Sequence, residues 1–212
     1  MPTALTWPDR LIAALDEGLR AVAVPATATR PSPAAAVPEG DLTAAERSQS
    51  AALMRVNHAG EVAAQALYHG QSLVARSDAT RELFVTAARE ERDHLAWCAA
   101  RIDELGGRAS WLAPFWYGGS FCVGVLAGAA GDAHSLGFVT ETERQVEAHL
   151  RDHLRRLPAQ DAKSAAILAR MTEDEAHHGT TAALAGGTEL RGAIRGTMAL
   201  GGEILRRVSL VV

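Results

Sequence analysis

The sequence predicts an all-α protein built on an antiparallel four-helix bundle with one long connection between its second and third helices. Three observations support this fold class. The period-two alternation that marks half-buried strands is missing almost everywhere. Four long segments instead repeat apolar residues at steps of three and four, and Gly or Pro separates them. The 212 residues suffice for one such domain of ordinary size.

The composition excludes several classes of protein. Hydrophobic residues make up 48% and charged residues 22%, which are globular values, so neither a disordered chain nor a polytopic membrane protein is expected. Lys and Arg total 21 against 25 Asp and Glu, a formal net charge of -4, so no nucleic-acid partner is expected. Cys98 and Cys122 alone cannot supply a disulfide framework or a thiolate zinc site.

The first 40 residues are expected to lie outside the main domain. Residues 1–40 read as a flexible N-terminal arm, in which 8–22 can form a short amphipathic helix and the Pro-, Ala- and Thr-rich stretch 22–40 is a linker. The chain does not begin with the pattern of a secretory signal. The main domain, 41–212, starts where Thr43 and Glu46 have the spacing of a capping box.

The four bundle helices follow in order, each with an identifiable end. The first is predicted over 43–76 and the second over 78–105, where Gly106 and Gly107 provide a C-terminal cap. The third is predicted over 132–157 and stops at Pro158, which cannot continue a helix. The fourth is predicted over 160–185 and ends at Gly186 and Gly187.

Two further segments are expected to face a membrane. The 23 residues 109–131 carry no charge but contain two of the four Trp and two of the four Phe. This length could cross a bilayer, although Pro114 and several glycines favour a buried or interfacial hairpin. The stretch 192–212 mixes apolar residues with arginines, which predicts an amphipathic helix on a surface. From these features alone, membrane attachment and simple core packing are equal alternatives.

Each of the four bundle segments has one glutamate among its core positions: Glu61, Glu91, Glu143 and Glu175. Burying an unpaired carboxylate costs several kcal/mol, so four of them require compensation. In each half of the bundle the two glutamates are about equally far from the connecting turn, roughly 24 Å at 1.5 Å per residue. All four carboxylates are therefore expected at one level of the bundle.

Two of these glutamates are followed three residues later by a histidine, His94 and His178, on the same helix face. Two Glu-x-x-His helices with one Glu from each of two others form the ligand set of ferritin-like di-metal sites. The predicted metal ligands are Glu61, Glu91, His94, Glu143, Glu175 and His178. This oxygen-rich set suits iron or manganese and leaves open positions for dioxygen or water. Glu91 and Glu175, beside the histidines, are the predicted bridges.

Neighbouring acids and histidines have simpler interpretations. His177 could compete with His178 by pairing with Asp174, but only His178 continues the apolar face of the helix. The acids predicted to face solvent are Glu90, Glu141, Glu147 and Glu173. The histidines predicted to be ordinary polar or capping residues are His58, His69, His134 and His153.

Four motifs carry a resemblance to a known family: Arg55-Val-Asn-His-Ala-Gly-Glu61, Tyr68-His-Gly-Gln71, Glu90-Glu-Arg-Asp-His94 and Asp174-Glu-Ala-His-His178. Together, from residue 41 to the C-terminus, the chain resembles the demethoxyubiquinone hydroxylases of ubiquinone biosynthesis. The resemblance implies a carboxylate-bridged di-iron monooxygenase, with two iron ions per chain and the six ligands named above. Its implied substrate is a polyprenylated methoxy-benzoquinone or quinol, with dioxygen and an electron donor such as NADH or a reductase.

The resemblance also implies roles beyond the ligands. His149, six residues after Glu143, stands where the family has a histidine close to the metals. In the family a tyrosine can follow this histidine, but this sequence has Leu150 at that position. Either His149 serves without that tyrosine, or Tyr68 takes its role. The stretch 109–131 is expected to line a slot for the isoprenoid tail.

The implied location is the cytoplasmic face of a bacterial inner membrane, as a peripheral protein in a homo-oligomer or biosynthetic complex. The alternative function is a ferritin-like iron-binding or ferroxidase protein, or a di-manganese protein, without quinone hydroxylation.

Overall fold

The protein is helical throughout the part that the structure describes. This computed structural model covers residues 6–212, apart from the side chains of Trp7, Leu11 and Leu15. Within these residues there are seven α-helices and no strand, which confirms the all-α prediction. The helices are α1 (Trp7–Ala23), α2 (Ala44–Val74), α3 (Asp78–Glu104), α4 (Ala113–Ala129), α5 (Asp132–Arg156), α6 (Ala162–Leu184) and α7 (Gly192–Ser209).

Four of these helices form a closed bundle in the spatial order α2, α3, α6, α5, in which each helix contacts the next. The short connections 75–77 and 157–161 make α2 antiparallel to α3 and α5 antiparallel to α6. The bundle interior has two apolar clusters, one containing Met54, Cys98 and Met171 and the other containing Phe84 and Val139. Along each helix, the predicted seam glutamate lies between these two clusters.

The helix ends follow local sequence signals. Thr43 and Glu46 form the predicted capping box: the Glu46 N–H donates to Thr43 Oγ1 at 3.3 Å, and the Thr43 N–H donates to Glu46 Oε2 at 2.8 Å. After α3, Gly106 adopts a φ of 72°, a conformation that favours glycine. The four predicted bundle helices therefore match the observed ones to within about two residues at each end.

The uncharged stretch forms one helix, α4, and the prediction of a hairpin is wrong. Pro114 lies in the first turn of α4, where its missing N–H would have no helical partner, so it does not break the helix. Glycines allow α4 to lie directly on α2. A Cβ atom on Gly124 would be 2.3 Å from the Leu67 carbonyl oxygen, and one on Gly70 would be 2.4 Å from that of Phe121.

The stretch between α1 and α2, predicted as a flexible linker, is held against the bundle. The Thr29 N–H donates to Asp93 Oδ1 at 2.6 Å, and Arg30 Nε donates to Asp93 Oδ2 at 2.6 Å. Further along, Glu39 accepts from Arg101 Nη1 at 2.7 Å. The linker prediction is therefore wrong for residues 29–39, because buried charges on α3 find their partners there. The predicted short helix before it is confirmed as α1.

The three helices outside the bundle all pack against α2. These helices and the turn before α4 expose large apolar side chains: Ile12, Leu19, Trp111, Phe115, Val123, Leu126, Leu200 and Ile204. The predicted amphipathic C-terminal helix is present as α7. Among the described residues, no helix combines the length and the apolar character that crossing a membrane requires.

Candidate metal centre

The six predicted ligands meet in the middle of the bundle. One ligand atom from each of Glu61, Glu91, His94 and Glu175 lies within 4.8 Å of the others, and the same holds for Glu91, Glu143, Glu175 and His178. All six residues are at most 6% exposed. The prediction that the four carboxylates lie at one level is therefore confirmed by their positions.

Glu91 and Glu175 belong to both groups, and each directs its two oxygens to different histidines. Glu91 Oε2 lies 3.1 Å from His94 Nδ1, and Glu91 Oε1 lies 3.3 Å from His178 Nδ1. Glu175 Oε1 lies 3.2 Å from His94 Nδ1, and Glu175 Oε2 lies 3.3 Å from His178 Nδ1. This arrangement can hold two cations side by side with two shared carboxylates.

The outward nitrogen of each histidine contacts a further carboxylate, from the opposite helix. His94 Nε2 lies 2.9 Å from Asp174 Oδ2, and His178 Nε2 lies 2.5 Å from Glu90 Oε2. A carboxylate that accepts the Nε2–H leaves the Nδ1 lone pair directed inward, as a metal ligand requires. The expectation that Glu90 merely faces solvent is therefore wrong. Burial by itself raises the pKa of Asp174, but its contacts with His94 and Arg30 lower that pKa to about 2.

The electrostatics of the cluster favour cations. Burial, followed by repulsion from Glu91, raises the pKa of Glu61 well above 4.5, and burial with repulsion from Glu175 does the same for Glu143. Burial alone would lower the pKa of His94, yet the surrounding carboxylates raise it well above 6.5.

Three buried carboxylate oxygens in the cluster accept no hydrogen bond of normal geometry: Glu61 Oε2, Glu143 Oε2 and Glu91 Oε1, the last despite its 3.3 Å distance to His178 Nδ1. Burying a carboxylate oxygen without a hydrogen bond or a bound cation lowers the stability of the folded protein. Carboxylate oxygens with one imidazole for each ion suit divalent metals such as iron and manganese. The residues present therefore fit a pair of such ions.

Tyr68 is in direct contact with the cluster. Its hydroxyl donates a hydrogen bond to Glu143 Oε1, and its side chain is buried. Burial, followed by repulsion from Glu143, raises the pKa of Tyr68 well above 10, so the phenol keeps its proton. Tyr68, His178 and Glu90 also line a cavity of about 390 Å³ beside the centre. The cavity therefore lies against the His178 side of the cluster.

His149 lies beside Asn57 and His153, outside the group of six predicted ligands. Its Nε2 is 3.3 Å from Asn57 Oδ1, an atom that His153 Nδ1 also approaches at 2.8 Å. Burial lowers the pKa of His149 to about 3 and that of His153 to about 4, so both are neutral near pH 7. Six residues correspond to about 1.7 helical turns, which places His149 on a different side of α5 from Glu143. In the described structure His149 contacts Asn57 rather than any of the six predicted ligands.

The remaining acids and histidines near the cluster agree with the predicted exposure in some cases and differ from it in others. His177 is exposed and His178 is buried, which supports the choice of His178. Glu173 is exposed, as predicted. Glu141 is instead buried, so the expectation that it faces solvent is wrong, and its carboxylate lies 2.7 Å from Arg144 Nη2.

Comparisons with known proteins agree with this geometry. The family model described as "Ubiquinone biosynthesis protein COQ7" matches residues 48–205. A protein from Nitrosomonas europaea named 3-demethoxyubiquinol 3-hydroxylase is 52% identical over 201 residues, covering 95% of this chain and 97% of the relative. Proteins of the same name from Nitrosococcus oceani and Janthinobacterium are 54% and 57% identical, over 95% and 84% of this chain and 94% and 86% of their own lengths. This chain therefore belongs to the COQ7 family of ubiquinone biosynthesis proteins.

Proposed function

We propose that this enzyme is an oxygen-dependent di-iron monooxygenase that hydroxylates the ring of 3-demethoxyubiquinol, a polyprenylated methoxy-benzoquinol. The relatives that cover nearly the whole chain carry the name of this activity. The observation that carries the metal assignment is the double role of Glu91 and Glu175, each of which presents one oxygen to each histidine. A single-ion or purely structural site has no need for two shared carboxylates.

Glu61 and His94 would hold one iron ion, Glu143 and His178 the other, and Glu91 and Glu175 would be shared. Bound iron would supply the activation of dioxygen for ring hydroxylation, with electrons from a donor such as NADH or a reductase. With only six protein ligands for two ions, positions remain open for dioxygen.

The surrounding side chains act on these ligands. Asp174 and Glu90 orient the two imidazoles, and the Tyr68 hydroxyl holds one oxygen of Glu143. Because burial keeps the phenol protonated, Tyr68 can hold or deliver a proton at that oxygen. The nearly complete burial of the six ligands excludes bulk water from the reacting centre.

We propose that the protein works at a membrane surface, as a peripheral protein on the cytoplasmic face of the inner membrane. A polyprenyl chain partitions into the bilayer, so the enzyme must collect its substrate there. The exposed apolar side chains support such a surface, since Phe115 is 70% and Leu126 71% exposed. Arg206 and Arg207 on α7 can attract anionic headgroups, at about 1 kcal/mol each.

One experiment tests the chemistry. Purified protein is analysed for iron content and near-ultraviolet charge-transfer absorption, and its hydroxylation of demethoxyubiquinol with dioxygen and a reductant is measured. We expect about two irons per chain, and Glu143→Ala should abolish hydroxylation and reduce bound iron. Glu147→Ala, one turn away on α5 and outside the cluster, is the matched control and should keep both. Iron-loaded protein that oxidises Fe²⁺ but leaves the quinol unchanged would favour a ferritin-like function, and activity that requires manganese would contradict the assignment of iron.

A second experiment tests the membrane surface. The double variant Phe115→Ser, Leu126→Ser should bind anionic vesicles more weakly and turn over long-tailed quinol more slowly. A short-tailed, water-soluble analogue should still react at the wild-type rate. Leu184→Ser is the matched control, because Leu184 is 84% exposed but belongs to α6, a bundle helix outside the proposed membrane surface. Equal loss with both substrates would contradict the membrane role of these side chains.

A further inference from the structure

Arg30 connects the N-terminal segment to the metal cluster, although it precedes the residues that match the family model, 48–205. Its Nη1 donates to Asp174 Oδ2 at 2.9 Å, and its Nε donates to Asp93 Oδ2 at 2.6 Å. The guanidinium therefore bridges a carboxylate of α3 and a carboxylate of α6.

The oxygen of Asp174 that Arg30 contacts is the one that faces His94. Asp174 Oδ2 lies 2.9 Å from Arg30 Nη1 and 2.9 Å from His94 Nε2, while His94 Nδ1 points to Glu91 and Glu175. The three groups form a continuous chain from the N-terminal segment to the interior of the cluster. Any rotation of the Asp174 carboxylate moves the acceptor that sets the orientation of the His94 ring.

Arg30 is itself held on several sides. Its guanidinium carbon lies 4.9 Å from the centre of the Trp97 ring, a distance typical of a cation–π contact. Trp97 Nε1 donates to the Arg30 carbonyl oxygen at 3.4 Å, and the neighbouring Thr29 N–H donates to Asp93. The Trp97 ring also contacts the His94 ring, with 5.4 Å between centroids. The segment thus presents a fixed arginine to the cluster.

A second arginine touches the same carboxylate but in a different place. Arg170 Nη2 lies 2.6 Å from Asp174 Oδ1, and its side chain is 46% exposed against 31% for Arg30. Arg170 therefore stabilises the charge of Asp174 from the surface. Arg30 instead holds the Asp174 oxygen that accepts the hydrogen bond from His94 Nε2.

We propose that Arg30 is a positioning residue of the metal centre, which acts through Asp174 to hold His94 in the orientation that a metal ligand needs. The inference rests on the proposed di-metal function. Its direct contacts lead only to His94, because the other histidine, His178, is held by Glu90. The effect of Arg30 on metal binding should therefore be largest at the ion that His94 binds.

Cobalt binding tests this inference without relying on activity. Metal-free protein is titrated with Co²⁺, and the visible ligand-field absorption reports each bound ion. Loss of a group that orients a metal ligand typically costs 10- to 100-fold in metal affinity, so Arg30→Ala should weaken one of the two Co²⁺ sites by about tenfold. Arg30→Lys should retain part of the Co²⁺ affinity that Arg30→Ala loses. Lysine keeps the positive charge but cannot hydrogen-bond to Asp93 and Asp174 with the geometry of the guanidinium. Arg151→Ala, at an exposed ion pair on α5, should match the wild type.

A double-mutant cycle separates positioning from general stability. If Arg30 acts through Asp174, Arg30→Ala should have no further effect on Co²⁺ affinity in an Asp174→Asn background. An equal effect of Arg30→Ala on the two Co²⁺ sites, or an effect that adds in full to that of Asp174→Asn, would overturn the inference. Wild-type Co²⁺ binding by Arg30→Ala would do the same. Undiminished binding by His94→Ala would instead overturn the proposed metal centre, so the two failures are distinguishable.

Discussion

Replacing Glu143 with glutamine should stabilise the metal-free protein while weakening metal binding. Glutamine has nearly the shape of glutamate, and its carbonyl oxygen can still accept the Tyr68 hydrogen bond. What it removes is a buried ionisable carboxyl group near Glu175 and Glu91, both of which raise the pKa of Glu143 after burial itself. The same substitution therefore has opposite effects on the two forms of the protein.

The size of the effect follows from proton linkage. The folded pKa of Glu143 lies well above its usual value of 4.5, so above pH 4.5 the folded state binds more protons than the unfolded state. Stability is then lost as pH rises through the folded pKa, by at most about 1.4 kcal/mol per pH unit. From pH 4.5 to 7 the loss is at most about 3 kcal/mol, and glutamine avoids it. Repulsion between carboxylates roughly 5 Å apart at an effective dielectric constant of about 20 is of the same size.

Urea unfolding at pH 4.5 and pH 7 measures this difference in free energy. Metal-free Glu143→Gln should equal the wild type at pH 4.5 and exceed it by up to about 3 kcal/mol at pH 7. With iron bound, the order should reverse, because the wild type gains more binding energy. Glu147→Gln, which removes only an ion pair with Arg151, should show neither change. A metal-free Glu143→Gln that is less stable at pH 7 would refute the reasoning.

Three further predictions concern the frame around the centre, each measured by urea unfolding. Arg101→Ala should lower the unfolding free energy by about 3–5 kcal/mol, because it leaves the buried Asp161 carboxylate without its partner at 2.7 Å. Gly124→Val should cost at least about 1–3 kcal/mol, since its Cβ would collide with the Leu67 carbonyl. His153→Gln should reduce acid sensitivity: burial lowers the His153 pKa to about 4, so the unfolded state binds more protons between about pH 6.5 and 4. In the wild type this destabilises the fold by about 2 kcal/mol from pH 7 to 5.

Each of these predictions has a matched control. Arg151→Ala removes an exposed ion pair and should cost less than about 1 kcal/mol. Gly118→Val adds a side chain to the same helix where a Cβ would meet nothing within 4 Å, so it should be well tolerated. His134→Gln, at an exposed position of α5, should keep the wild-type pH dependence. Equal effects in a variant and its control would contradict the corresponding structural reason.

Much of the bundle and its centre is predictable because the signals are local. The capping box of Thr43 and Glu46 and the glycine after α3 set helix ends within a few residues of themselves. The step from Glu91 to His94 places both side chains on one face of a helix, whatever lies opposite. The nearly equal distances from each glutamate to its turn then set the level at which the four carboxylates meet.

Only the tertiary structure decides which groups support that centre. Asp174 and His94 are separated by 80 residues and Arg30 and Asp174 by 144, so no sequence spacing indicates these contacts. A composition rich in Pro and Ala does not show that residues 29–39 have partners on the bundle, and a glutamate next to a ligand, such as Glu90, has no local sign of its role. The sequence by itself determined the helices and the six residues directed inward, because both depend on periodicity along one helix. The second contact of each histidine depends on how α3 and α6 pack, and that is a property of the folded chain alone.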